Sequence, residues 1–90
     1  VAKFKFKLGR LVCTPGVMQS VPVPEMGTLI KRHHACDWGD LEDDDWVENE
    51  RALLAGDRLF SAYHTRRGLK VWIITEADRS STCVLLPDEY

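Results

Sequence analysis

The sequence predicts an α+β domain: an N-terminal strand, two helices, then a three-stranded antiparallel meander, with the helices packed on one face of the sheet. Three observations carry this expectation. Residues 3–8 alternate lysine with an apolar residue; residues 43–56 run from a carboxylate-rich start to a glycine stop; and residues 58–86 hold three short strand-like segments separated by turn residues. Ninety residues suit one domain, 1–90, with 44% hydrophobic and 29% charged residues, an ordinary globular balance. A core of this size leaves little room for a deep substrate cavity. A ligand site is expected in a surface groove or at a shared interface.

In the first element, Phe4, Phe6 and Leu8 share one face and Lys3, Lys5 and Lys7 the other, the period of a half-buried strand. Lysines along an exposed face also suit a sheet edge. Gly9 bends the strand before Leu11, Val12 and Cys13 continue it, and Thr14-Pro15-Gly16 reads as a turn. Met26, Leu29, Ile30 and His33 then trace one helical face, which predicts a short helix over 24–35. Gly27 weakens it by about 1 kcal/mol relative to alanine.

The segment Asp37-Trp38-Gly39-Asp40-Leu41 reads as a connection between helices, with Gly39 free to take a positive φ. Asp43 or Asp44 is expected to cap the second helix, whose face is Trp46, Val47, Glu50, Leu53 and Leu54 and whose stop is Gly56. In the meander, Leu59, Ser61 and Tyr63 alternate against Phe60, Ala62 and His64. Thr65-Arg66-Arg67-Gly68 makes a hairpin loop, residues 69–75 a central strand covered on both faces, and residues 81–86 the last strand. Trp72 is expected in the core, and Trp46 between its helix and the sheet.

The formal net charge of −2 does not call for a nucleic-acid partner. It conceals a segregation: Lys3, Lys5, Lys7 and Arg10 make the N-terminus basic, while residues 37–50 carry eight carboxylates and no base. That pattern fits either a solvated surface or two faces of opposite sign. Cys13, Cys36 and Cys83 form no Cys-x-x-Cys pair, so neither a zinc site nor a disulfide framework is expected. Nothing resembles a signal peptide, and the longest apolar stretch, residues 71–74, is too short to span a bilayer. No membrane association is expected, and a cytoplasmic setting is.

Two clusters raise the question of chemistry. His33, His34, Cys36 and Asp37 lie close in sequence, but adjacent helical residues point about 100° apart and do not converge on an ion. No metal or other cofactor is therefore expected. His64, Arg66, Arg67, Glu76, Asp78 and Arg79 form the other cluster, in which His64 as a base and Arg79 on a phosphate would suit an RNA-cleaving, toxin-like nuclease. The order of elements matches that of such toxins only at the level of fold analogy. Trp38 has two readings. One is a plug closing the helix junction; the other is an aromatic anchor in a polar rim, which makes Asp37, Trp38 and Asp40 the candidate binding set.

Several blocks, in order, resemble a known group: Asp37-Trp38-Gly39-Asp40-Leu41, Asn49-Glu50-Arg51-Ala52-Leu53, Val71-Trp72-Ile73-Ile74-Thr75-Glu76-Ala77-Asp78-Arg79-Ser80 and Leu85-Leu86-Pro87-Asp88-Glu89-Tyr90. They look like those of short bacterial proteins carried on plasmids and other mobile elements, loosely termed plasmid-related proteins. The resemblance spans residues 3–13 and 37–90 and departs over 17–36. It implies a bacterial, cytoplasmic accessory protein with no established activity. The expected function is accordingly a small binding or interaction module without catalysis, which works through a protein partner or self-associates by its lysine-bearing edge or its final strand.

Overall fold

The computed structural model describes residues 4–90. It is α+β: strand β1 (Arg10–Cys13), helices α1 (Pro15–Ser20), α2 (Val23–His34) and α3 (Asp43–Ala55), strands β2 (Leu59–His64), β3 (Lys70–Thr75) and β4 (Ser81–Leu85), and a closing 3₁₀ turn, Pro87–Glu89. The sheet order is β1-β4-β3-β2, with β2, β3 and β4 antiparallel and β1 parallel to β4. The meander is thus as expected. The first strand, however, returns to the far side of β4, which places the final strand in the interior of the sheet. Self-association through that strand is ruled out, since both of its edges are paired.

The alternating N-terminal segment does not form the expected strand; Lys3 lies outside the described residues, and residues 4–9 are irregular. Side-chain burial overrides the period-two pattern. Phe6 sinks into a cluster with Trp38, Ala52 and Leu59, and Phe4 stacks on His34 at 3.7 Å between ring centroids. Gly9, at φ 65°, turns the chain into β1; a Cβ there would collide with the backbone of Arg79 and Ser80. The Thr14-Pro15-Gly16 turn is instead the start of α1, a third helix: Thr14 accepts a bond from the Val17 amide, and Pro15 fits the first helical position.

Helix α2 buries Met26, Leu29 and His33, the anticipated face. In α3 the face is rotated. Asn49 and Ala52 are buried, with Trp46 and Leu53 half-buried, while Val47 and Leu54 point to solvent. Nor do Asp43 and Asp44 cap this helix. Glu42 is the N-cap without a side-chain bond, and Asp43, Asp44 and Asp45 occupy the first turn, where they act through charge on the exposed amides. Gly56 stops the helix in the left-handed region, φ 77°.

All three helices cover one face of the sheet. Val17, Val21, Met26 and Leu29 pack on Tyr63, Val71, Ile73 and Val84, and Ala52 of α3 packs with Trp38 on Leu59. The opposite face is only partly shielded, so β3 is not covered on both sides. Trp72 is half-buried there, not in the core, and stands edge-to-face with Phe60 at 5.0 Å and with Tyr90 at 6.0 Å.

Beneath the helices runs a closed polar chain. Thr82 donates to the Leu8 carbonyl at 2.7 Å, and Thr75 lies 2.7 Å from Thr82. His33 reaches Thr75 through Nε2 at 2.9 Å and Ser61 through Nδ1 at 2.5 Å. A carbonyl can only accept, which fixes the order of protons as far as the ring: Thr82 gives to Leu8, Thr75 to Thr82, and His33 Nε2–H to Thr75. Burial, aided by His34 and Arg79, lowers the His33 pKa to about 3, so the ring is neutral at ordinary pH and Ser61 gives its proton to Nδ1.

Candidate binding groove

A groove of about 510 Å³ opens between α2 and the β2–β3 hairpin, lined among others by Pro22, Thr28, Arg32, His64, Arg66 and Arg67. The hairpin loop is held from within. Thr65, itself buried, takes the Gly68 amide on its carbonyl and the Leu69 amide on its hydroxyl, and Gly68 supplies the left-handed turn at φ 83°. Glu25 of α2 accepts the Arg66 amide at 2.7 Å and so ties the loop to the opposite wall. The side chains of Arg66 and Arg67 are left exposed, with no ion pair to another described residue.

Two further polar groups of the groove, Arg32 and His64, are aimed by carboxylates. Arg32 bonds Asp37 at 2.7 Å through Nε, and its guanidinium lies 4.7 Å from the centroid of the Tyr63 ring. That guanidinium holds the Asp37 carboxyl below its usual range, helped by the Gly39 amide at 3.2 Å. Asp40 accepts from His64 Nδ1 at 2.8 Å, and His64 lines the groove with no hydrogen bond from Nε2 to another described residue. Both aspartates sit in a loop pinned to the sheet: Asp40 N donates to the Ala62 carbonyl at 2.6 Å, Ala62 N to Trp38 at 3.3 Å, and the Tyr63 hydroxyl to the Asp37 carbonyl at 2.6 Å. Gly39, at φ 77°, is required here because any Cβ would strike the Ala62 carbonyl and the Tyr63 ring.

The candidate set Asp37, Trp38 and Asp40 therefore divides. Trp38 is 0% exposed, with its indole donating to Glu50 at 2.7 Å, so it is the plug of the helix junction and no surface anchor. Asp37 and Asp40 remain at the surface as the groups that orient Arg32 and His64. The nuclease pairing of His64 with Arg79 is not assembled. His64 ends β2, where it faces Lys70, whereas Arg79 lies in the β3–β4 turn at the other end of the sheet, bonded to the carbonyls of Asp57 and Glu76. His33 and His34 also diverge, His33 into the sheet and His34 onto the Phe6 carbonyl at 3.0 Å.

Among the described residues, no group of three or more His, Cys, Asp or Glu is placed to hold a metal ion, and no helix is long and apolar enough to cross a membrane. Burial raises the pKa of Cys13, Cys36 and Cys83, which makes each a weaker nucleophile than a free thiol. Arg32, Glu25 and Thr28 were not expected in a site. They lie on the polar side of the helix expected over 24–35, within the stretch where the resemblance departs, and only the packing of α2 against the hairpin brings them to His64. Compared with known families, curated proteins and solved structures, the chain matches none. A mobile-element origin therefore has no support beyond the sequence blocks.

Proposed function

We propose that this chain is a non-catalytic binding module that takes an acidic segment of a partner protein into the groove between α2 and the β2–β3 hairpin. The observation that carries this reading is the pair of guanidiniums, Arg66 and Arg67, that form no ion pair among the described residues, on a loop fixed by Thr65, Gly68 and Glu25. Arginine side chains fork to carboxylates and lose less freedom when their loop is already ordered. Pro22, Pro24 and Leu29 give the groove apolar wall, which suits a peptide carrying both acidic and apolar residues. A single nucleic-acid strand would instead call for aromatic rings on which bases stack, and among the described residues of the lining His64 is the only aromatic one. The resemblance of several blocks to plasmid-borne proteins adds a bacterial accessory role, in the cytoplasm, to the proposal.

Selection of a random peptide library on the protein tests this. Peptides rich in Asp and Glu are expected, and the Arg66→Glu/Arg67→Glu protein should fail to retain them. Enrichment with no acidic bias, or equal retention by the double variant, contradicts the reading.

RNA cleavage is a second reading, favoured by the 2.8 Å His64–Asp40 pair beside Arg66 and Arg67, which form no ion pair among the described residues. It predicts that expression arrests bacterial growth and that His64→Ala relieves the arrest. Growth without arrest, in cells that accumulate the folded protein, removes it.

A further inference from the structure

We infer that β1 is the docking edge for a second copy of this chain, the two β1 strands pairing antiparallel about a two-fold axis at Val12. The sheet has two outer edges, and they are treated differently. Along β2 the outward backbone groups of Phe60 and Ala62 are taken up. The Asn49 side chain bonds both the amide and the carbonyl of Phe60, while the 38–40 loop bonds both groups of Ala62.

The β1 edge has no such cover. Arg10 N donates to Ser80 at 3.0 Å and Thr14 N to Val84 at 3.0 Å, so the even-numbered residues face β4. The amides and carbonyls of Leu11 and Cys13 consequently point away from the sheet and bond no other described residue. Leu11 is 51% and Val12 41% exposed, on opposite faces of the strand. The strand is short, four residues opening on Arg10, but no proline or bulge interrupts residues 11–13.

The strand is complementary to itself in one register. With Val12 opposite Val12 of the second copy, Leu11 falls opposite Cys13, and each such pair exchanges two backbone bonds. The same register sets Arg10 opposite Thr14 on the sheet face that carries Val12. Thr14 holds the Glu89 carboxylate through its hydroxyl, and hydrogen bonds from Thr14 and from the Leu86 and Gly16 amides keep that carboxyl below its usual range. Arg10 has no ion pair among the described residues. The axis therefore brings an unpaired Arg10 of each copy to the ionised Glu89 of the other, twice. Two four-stranded sheets become one continuous sheet.

Sedimentation equilibrium over a concentration series tests the assignment. The wild-type protein should dimerise reversibly. Val12→Lys, which places two like charges face to face at the axis, should be monomeric with an unchanged circular-dichroism spectrum. Arg10→Glu should weaken dimerisation about tenfold or more, and Arg10→Glu combined with Glu89→Arg should restore it. A wild type that stays monomeric overturns the inference, as does a dimer indifferent to Val12→Lys. A charge swap no tighter than Arg10→Glu alone, in a protein that remains folded, overturns the register. The Val12→Lys arm does not depend on Glu89 and decides the edge even where the swap perturbs α1.

Discussion

His33 Nδ1 lies 2.5 Å from Ser61 Oγ, at the far end of a proton-ordered chain that begins on the Leu8 carbonyl. This contact joins α2 to β2 across the core, and the same imidazole reaches β3 through Thr75. The neutral ring satisfies both hydroxyls, and protonation would place a charge where no described carboxylate partners it. One residue thereby couples helix packing to pH.

The expected pH dependence follows from the direction of the shift. The folded-state pKa of His33 is lowered to about 3, against 6.5 for the unfolded chain. Between those values the unfolded state binds the extra proton, so the contribution is fully present above 6.5 and declines as the pH falls toward 3. Stability should fall with a slope approaching about 1.4 kcal/mol per pH unit in that window. Urea unfolding at several pH values checks this. His33→Leu should be less stable at pH 7, by about 2 kcal/mol for the hydroxyls left unpaired, yet flatter between pH 6 and 4. A variant as steep as wild type would assign the slope to other groups.

Trp38→Ala should cost about 4 kcal/mol, a large share of what a small domain has. The indole fills the space between Phe6, Ala52 and Leu59 and donates to Glu50. Any loss of binding in this variant should therefore follow loss of fold, visible as a lowered unfolding midpoint. A Trp38→Ala protein with wild-type stability that no longer binds would return Trp38 to the interface.

Asn49→Ala should destabilise by about 2 kcal/mol, because it strips the partner from the Phe60 amide and carbonyl at a buried edge. Asp43→Ala/Asp44→Ala should lose only about 0.5 kcal/mol, as befits charges near a helix N-terminus and not a cap. The ranking of the two midpoints in thermal melts is the check; the reverse order would contradict the description of α3.

Much of the architecture was legible where local signals and burial agree. The three meander segments, the Met26-Leu29-His33 face and the Gly56 stop appear as the residues foretold. Expectation failed where tertiary contacts outweigh local pattern. The Lys–Phe alternation of the N-terminus gave way to Phe6 entering the core, and Val47 and Leu54 yielded their place on α3 to Asn49, whose amide mimics a strand partner. A parallel β1–β4 pairing leaves no mark in either strand. At the site, His64, Arg66 and Arg67 were visible as a cluster, and Asp40 as a neighbour of Trp38, but nothing in the spacing joins Asp40 to His64 twenty-four positions later. The loop–sheet bridge at Ala62 makes that link.

The same geometry separates two residues once paired as a catalytic alternative. His64→Ala should weaken peptide binding severalfold, whereas Arg79→Ala should leave affinity unchanged and lower the melting temperature, since its guanidinium holds the Asp57 and Glu76 carbonyls. Binding titrations alongside melts distinguish these effects. Equal losses of affinity in both variants would contradict the placement of the groove at one end of the sheet.

The most direct test of the groove is an amide chemical-shift titration of the labelled protein with an Asp- and Glu-rich peptide taken from the library selection. Saturable shifts are expected, confined to α2 residues near Glu25, Thr28 and Arg32 and to the 64–68 loop, and lost in Arg66→Glu/Arg67→Glu without a change in the rest of the spectrum. Shifts centred instead on the Phe60–Trp72–Tyr90 face, or on the acidic turn of α3, would contradict that expectation.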